Sequence, residues 1–206
     1  MSTPDYWHEA KAHLSKKDKK LAKIIAGYEG EMMVRKGDAF YTLARAIAGQ
    51  QISVKAADSI WKRVEAALGK VTPENAIKCK AEKLRACGFS ASKVVYLHAL
   101  AQHFIDNKAL IKKWPKLSDD EIIRELTSIK GIGRWTAEMF LIFHLGRPNI
   151  LPLGDLGLLK AIYRHYNKSE KMSLAEVRKL AEKWHPYHSV ATWYLWRSLD
   201  PLPVAY

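Results

Sequence analysis

Residues 126–143 read LTSIKGIGRWTAEMFLIF, and the spacing within that stretch decides the fold. Residues 121–128 read as a helix with Ile122, Ile123 and Leu126 on its apolar face. Ser118 stands where an N-cap belongs, and Glu121 three positions on completes a capping box. Lys130, Gly131, Ile132 and Gly133 break the helix; two glycines in alternate positions allow positive φ and a close backbone approach. Residues 134–143 resume helical spacing, with Trp135, Met139 and Ile142 on one face. A helix that starts just after such a turn offers unpaired amide hydrogens and the positive end of its dipole, which together make an anion site. The competing reading is a tight αα-turn whose glycines serve packing. What tilts the balance is a carboxylate a short loop later: Asp155, in LPLGDLGLL at residues 151–159.

Outward from the hairpin, every segment repeats the helical period and none alternates as a strand does, so the expected class is all-α, with about ten to twelve helices. Residues 4–14 place Trp7, Ala10 and Leu14 on one face; 15–20 are a lysine-rich solvated junction; 21–28 form a second short helix. Asp38 caps a helix with Phe40, Leu43, Ala44 and Ile47 inside. Ser53 caps a longer one with Val54, Ala57, Ile60, Trp61 and Val64 inside. Gln50, Gln51 and Ile52 therefore lie on a turn between two helices. Such a polar pair is either idle in solvent or a probe that enters a groove, since a glutamine can replace the hydrogen bonds of a displaced base. Thr72 and Pro73 open another helix, 81–87 is a short one, and 90–107 buries Val94, Leu97, Leu100, Ala101 and Phe104. Residues 112–116 are a basic loop. After an irregular 147–154, residues 156–166 are helical with Leu159, Ile162 and Tyr163 inside. Ser173 caps 174–184, residues 185–187 form a sharp link, and 188–199 make the last helix, ended by Asp200, Pro201, Leu202 and Pro203.

Composition excludes several classes. The chain has 206 residues, enough for one sizeable core, and its 48% hydrophobic content contains no run long enough to span a bilayer. The first residues are mixed and charged, unlike a signal peptide, so the expectation is an intracellular protein acting with its nucleic acid and without a membrane. Cys79 and Cys87 fit neither a metal pattern nor a disulfide framework, and the eight histidines show no ligand spacing. A formal charge of +13 suits a polyanionic partner, for which nucleic acid is the default, although a basic soluble surface has the same composition.

Together these residues resemble the helix-hairpin-helix DNA glycosylase superfamily. The likeness runs through Phe40, Leu43, Arg45, Ala46, Ile47 and the run 49–53, then the hairpin 129–137, then Gly154 and Asp155, then Trp184, Pro186, Tyr187, Ser189, Val190, Ala191 and Trp193. Separated motifs in order are far more specific than any one of them. The nearest branch resembles the alkylbase (3-methyladenine type II) glycosylases, in a compact form without the N-terminal β lobe. The resemblance implies one domain of two helical lobes, about 1–34 with 147–206 and about 35–146 carrying the hairpin 127–135. A cleft would lie between them, with the hairpin on one rim and the Asp at the base.

The chemistry that the resemblance implies is release of alkylated purines from duplex DNA by a monomer that flips the nucleotide. Asp155 would stabilise the oxocarbenium-like sugar and orient or deprotonate water; its alternative is an N-cap for the helix at 156, and the two roles are compatible. The amides of Gly131, Gly133 and Thr136, with Lys130 and Arg134, would hold phosphate. Gln51, with Gln50 and Ile52, would plug the gap left by the flipped base. A cationic purine prefers an electron-rich aromatic face, which Trp135 and Tyr187 would supply, with Met139 lining the pocket; for each of these the alternative is packing. His188 sits where relatives often have Arg, so it would touch phosphate or simply lie at the surface. The resemblance further implies a monovalent cation, Na+ or K+, on the carbonyls of Thr127, Ile129 and Ile132, and no other cofactor. Two departures narrow the branch. No four-cysteine iron–sulfur motif is present, and Trp135 stands where bifunctional members have their Schiff-base lysine, so strand cleavage is not expected. Two alternatives stay open: a helix-hairpin-helix DNA-binding module without chemistry, and a glycosylase for mismatched or deaminated bases.

Overall fold

A computed structural model describes residues 3–35 and 37–199, and the side chains within them except that of Val54. Among the described residues the backbone is helical and no strand occurs, as the periodicity requires. Contacts divide the chain into two units, residues 3–35 with 141–199 and residues 37–140. Chain order begins in the first unit with α1 (Trp7–Lys17) and α2 (Lys19–Gly27). It continues through the second with α3 (Ala39–Gly49), α4 (Val54–Leu68), α5 (Pro73–Lys78), α6 (Ala81–Ala86), α7 (Ala91–Asp106), α8 (Lys108–Ile111), α9 (Asp119–Ser128) and α10 (Arg134–Phe140). It returns to the first with α11 (Leu156–Tyr166), α12 (Leu174–Ala181) and α13 (His188–Arg197).

Unit one is built around α13, whose residues 189–197 are all buried, the polar Ser189, Thr192 and Arg197 among them. Trp7 of α1 packs edge-on against Trp193 at 5.2 Å and tilted against Tyr194 at 5.6 Å. Trp7, Ala10 and Leu14 are the buried face of α1, as their spacing predicts. The lysines of the junction at 15–20 are exposed, as expected, but Asp18 in their midst is a buried polar hub. Asp18 is only 3% exposed and caps α2 through Oδ1, which accepts from the amides of Lys20 and Leu21. Its Oδ2 accepts from Tyr166 Oη at 2.6 Å, Trp184 Nε1 at 2.8 Å and Lys183 Nζ at 3.0 Å. Composition suggests a wet charge run, but the carboxylate is bonded at Oδ2 by the side chains of Tyr166 and Trp184, which lie 148 and 166 positions away in sequence. Burial pushes its pKa up, and the bonds from Tyr166, Trp184, Lys183 and the Leu21 amide outweigh that, leaving it below the ordinary value. In α11 the buried face is Leu158, Ala161 and Ile162 rather than the expected Leu159 and Tyr163. The last helix ends at Arg197, and the predicted terminator at 200–203 lies outside the described residues.

Unit two packs α3, α7, α9 and α10 around an aromatic chain. Phe40, Phe104, Trp114 and Phe140 meet edge to face in succession at 5.3, 5.6 and 5.4 Å. Trp114 is 1% exposed, so the stretch expected to be a basic loop is a short 3-10 turn, Trp114–Lys116, that plugs the core. The caps read from sequence are made, the side chains of Asp38, Ser53, Thr72 and Ser118 each accepting a backbone N–H, and Ser90 adds one more at the start of α7. Helix α9 begins at Asp119, directly after the Ser118 cap that the sequence marks, two residues earlier than the expected start at Glu121. After Phe140 the helix widens into a π turn, Leu141–Leu145, which the uniform 3.6 spacing of 134–143 does not foretell.

Candidate functional site

The hairpin in unit two starts where α9 runs out. Its capping box is complete, with Ser118 N donating to Glu121 Oε2 at 2.8 Å and Glu121 N to Ser118 Oγ at 3.3 Å. Ile129 N closes on Leu126 O, Ile132 N donates to Ile129 O at 3.0 Å, and Ala137 N to Gly133 O opens α10. Gly131 has φ +93°, and a Cβ there would overlap the ring of Tyr96 from α7, so this position demands glycine twice over. Gly133 differs: its φ is not positive and a Cβ would meet nothing, so it leaves exposed backbone open to an approaching group. Lys130 is exposed, and Arg134 is 67% exposed in its side chain while its Nε donates to Glu138 Oε1 at 3.0 Å. Thr136 is buried, so only its amide is available for the predicted contact.

The α3–α4 turn lies beside the hairpin. Gln50, Gln51, Tyr96, Gly131, Ile132, Gly133 and Trp135 line a depression of about 500 Å³. Gln51 is exposed with φ +59°, and Ile52 is 38% exposed. Gln50 corrects the expectation that it shares the plugging role, because its Nε2 donates to Gly131 O at 2.9 Å. Trp135 is half-buried on the wall of the depression, whereas Met139, 4% exposed, does not line it and packs in the core. The carbonyls of Thr127, Ile129 and Ile132 fit a cation by chemistry. Thr127 lies in the last turn of α9, where carbonyls lack helical partners and carry the negative end of the dipole, and Ile129 O retains a second lone pair beside its bond to Ile132.

Asp155 belongs to unit one. It is 7% exposed and caps α11, with Oδ1 accepting from Leu158 N at 2.6 Å. The same oxygen accepts from Trp196 Nε1 at 2.8 Å, across 41 positions of sequence. The capping alternative is therefore realised, and it serves to orient the carboxylate. Phe143, in the π turn, stacks on Trp196 at 6.0 Å and 17°, which steadies the indole. Gly157 leaves the room this needs, since a Cβ there would come within 3.1 Å of Asp155 Oδ1 and 3.5 Å of Trp196. Trp196 stands in the buried helix α13. It is buried, but its N–H bonds the carboxylate, a link no local signal could announce.

Two expected site residues prove to be tied into unit one. Tyr187 is 8% exposed, stacks on Tyr6 at 6.1 Å, meets His13 edge-on and donates its hydroxyl to Glu9 at 2.6 Å. That bond to a carboxylate, with burial, raises its pKa. His188 donates Nε2 to the Ala181 carbonyl at 2.9 Å, and burial lowers its pKa below the ordinary imidazole value.

Residues 44–186 match the HhH-GPD superfamily of base excision DNA repair proteins. DNA-3-methyladenine glycosylase 1 of Schizosaccharomyces pombe is 37% identical across 92% of this chain and 86% of its own length. Among solved structures, a DNA-3-methyladenine glycosidase of Bacillus halodurans superposes with a TM-score of 0.82 at 33% identity, covering 92% of this chain and 88% of that one. A 3-methyladenine DNA glycosylase of S. pombe in complex with abasic DNA superposes at 0.79 with 36% identity, covering 92% and 96%.

Proposed function

The chain belongs to the HhH-GPD superfamily of base excision DNA repair proteins, and on that premise we propose that it is a monofunctional DNA glycosylase that excises alkylated purines, of the 3-methyladenine and 7-methylguanine kind, from duplex DNA. The observation that carries the chemistry is Asp155: a buried carboxylate with one oxygen held by a backbone amide and an indole N–H.

Binding comes first. A stacked base is out of reach, and flipping its nucleotide costs on the order of a few kcal/mol, less where the base is damaged. Phosphate held by the amides of Gly131, Gly133 and Thr136, with Lys130 and Arg134, offsets that cost. The carbonyls of Thr127, Ile129 and Ile132 would hold a Na+ or K+ that adds positive charge beside the same phosphate. Gln51 fills the gap in the stack, and its amide pairs with the base left behind. Trp135 offers its face to the flipped purine, whose positive charge favours an electron-rich ring.

Alkylation at N3 or N7 makes the purine cationic, so it leaves with the electrons of the C1′–N bond and needs little acid assistance. Positive charge moves onto the sugar, where Asp155 stabilises it. A water oxygen then joins C1′ and its proton passes to Asp155 or to solvent. Because Oδ1 is occupied by two N–H donors, the carboxylate is preset in orientation and loses little freedom when the transition state forms. No lysine follows the hairpin at position 135, and an indole forms no imine, so the product is an intact strand with an abasic site. The protein works as a monomer on DNA; among the described residues no helix is long and apolar enough to cross a membrane.

Incubation with methylated duplex DNA tests this reading by two assays, chromatography of released bases and strand integrity with and without alkali. Release of methylpurines, with strands cut only after alkali, is expected. Cutting without alkali would contradict the reading of Trp135. Duplex binding with no release from alkylated, deaminated or mismatched substrates would leave a DNA-binding module.

A further inference from the structure

The chain leaves α3 at Gly49 and enters α4 at the Ser53 cap, with only Gln50, Gln51 and Ile52 between. Gln51 takes φ +59°, a region that crowds any residue with a Cβ and persists only where the surroundings impose it. Three bonds do the imposing. Lys93 Nζ donates to Ala48 O at 2.8 Å, placing a cation at the C-terminal end of α3, and Ser53 Oγ accepts Ala56 N at the start of α4. These two fix the helices on either side. The third is the bond from Gln50 Nε2 to Gly131 O, which joins the turn to the hairpin across 81 positions of sequence.

The peptide group that receives this bond is held at both poles. Its carbonyl accepts from Gln50, and its N–H, on Ile132, donates to Ile129 O. It is also the group that comes after the left-handed Gly131, where Tyr96 leaves no room for rearrangement. A movement of the hairpin peptide is therefore transmitted to Gln50, and from there to the next residue along the chain.

We propose that Gln50 is a positioning residue: its amide locks the α3–α4 turn to the hairpin and so sets where Gln51 enters the duplex. A plug must enter at a fixed offset from the phosphate that the hairpin grips, and a direct bond between plug turn and hairpin fixes that offset before DNA arrives. This rests on the reading of Gln51 as the plug in the proposed glycosylase. It predicts that Gln50 matters for gapped or flipped DNA and not for plain duplex.

The test is a double-mutant cycle of Gln50→Leu and Gln51→Ala. Each protein is titrated with an abasic-site duplex and with the undamaged duplex of the same sequence, and the ratio of the two affinities is taken. Each single substitution is expected to lower that ratio about tenfold, and the double to lower it no further than either single, because both remove one function. Affinity for undamaged duplex stays within about twofold of wild type. Gln50→Glu, which keeps the shape but lacks the donor, is run alongside, so that a fall in melting midpoint peculiar to Leu is recognised. Multiplicative losses in the double variant, or an equal loss on undamaged duplex, would overturn the proposal. Binding is read without base release, so a failure to excise bases counts against the glycosylase reading alone.

Discussion

The two units build their key groups by opposite rules. In unit two the hairpin is local: a capping box, a helix end, a left-handed glycine and a new helix succeed one another within a few residues, and most of its bonds join near neighbours. In unit one the carboxylate is tertiary: Asp155 is oriented by Trp196 from the far end of the unit, and Asp18 gathers donors from Tyr166, Lys183 and Trp184. The difference matches the work proposed for each. Gripping phosphate needs exposed backbone amides in a turn, which a short sequence can encode. Stabilising charge on a sugar needs a fixed carboxylate in a poorly hydrated setting, which only packing can supply.

The largest expected effect breaks the tertiary side. Asp18→Ala strands Lys183, Tyr166 and Trp184 without their acceptor and should lower unfolding stability by about 3–5 kcal/mol in chemical denaturation. The local Ser118→Ala cap deletion should lower it by about 1 kcal/mol. If the two losses were equal, long-range bonding would not be what holds unit one. Asp18 also sets an acid limit. Its folded pKa is depressed, so its contribution is present above the unfolded carboxyl pKa and fades as pH falls through the lower folded value. The thermal midpoint should drop on acidification below about pH 4, and Asp18→Asn should flatten that dependence.

Next comes the hairpin. Gly131→Ala should cost about 2–4 kcal/mol, from the left-handed backbone and from overlap with Tyr96 together. Adding Tyr96→Ala removes the overlap and should recover part of the loss, leaving about 1–2 kcal/mol from the backbone. No recovery would mean that Tyr96 does not press on the turn.

A smaller effect separates the two units by function. Trp196→Phe keeps the ring against Phe143 but deletes the donor to Asp155. Single-turnover excision should slow roughly 10- to 100-fold, the worth of a hydrogen bond to a charged group, with duplex affinity within about twofold. A loss of affinity instead would make Trp196 part of the grip.

The same contrast explains what could be read in the sequence. The all-α class, the capping box at Ser118, the hairpin at 130–133 and the cap at Asp155 were legible because each depends on residues a few positions apart. The core faces of α1, α3 and α7 were legible for the same reason. The partners of Asp18, the bond from Trp196 and the brace from Gln50 to Gly131 were not, since side chains distant in sequence meet only after packing. Tyr187 and His188 show the same limit from the other side. Their positions in a motif suggest roles in the site, but Glu9 and the Ala181 carbonyl, neither of them in that motif, take their polar atoms. Met139 was undecidable by spacing, because a helix face that lines a pocket and one that lines a core share a period.

The most direct measurement is single-turnover release of methylpurines by wild type and Asp155→Asn, with duplex affinity measured on the same preparations. Asparagine also caps helices well and retains an oxygen for Leu158 and Trp196, so the fold is expected to persist. A loss of roughly two to three orders of magnitude in excision at unchanged affinity is expected. Excision by Asp155→Asn within about threefold of wild type would contradict it, and would leave the buried carboxylate as a helix cap alone.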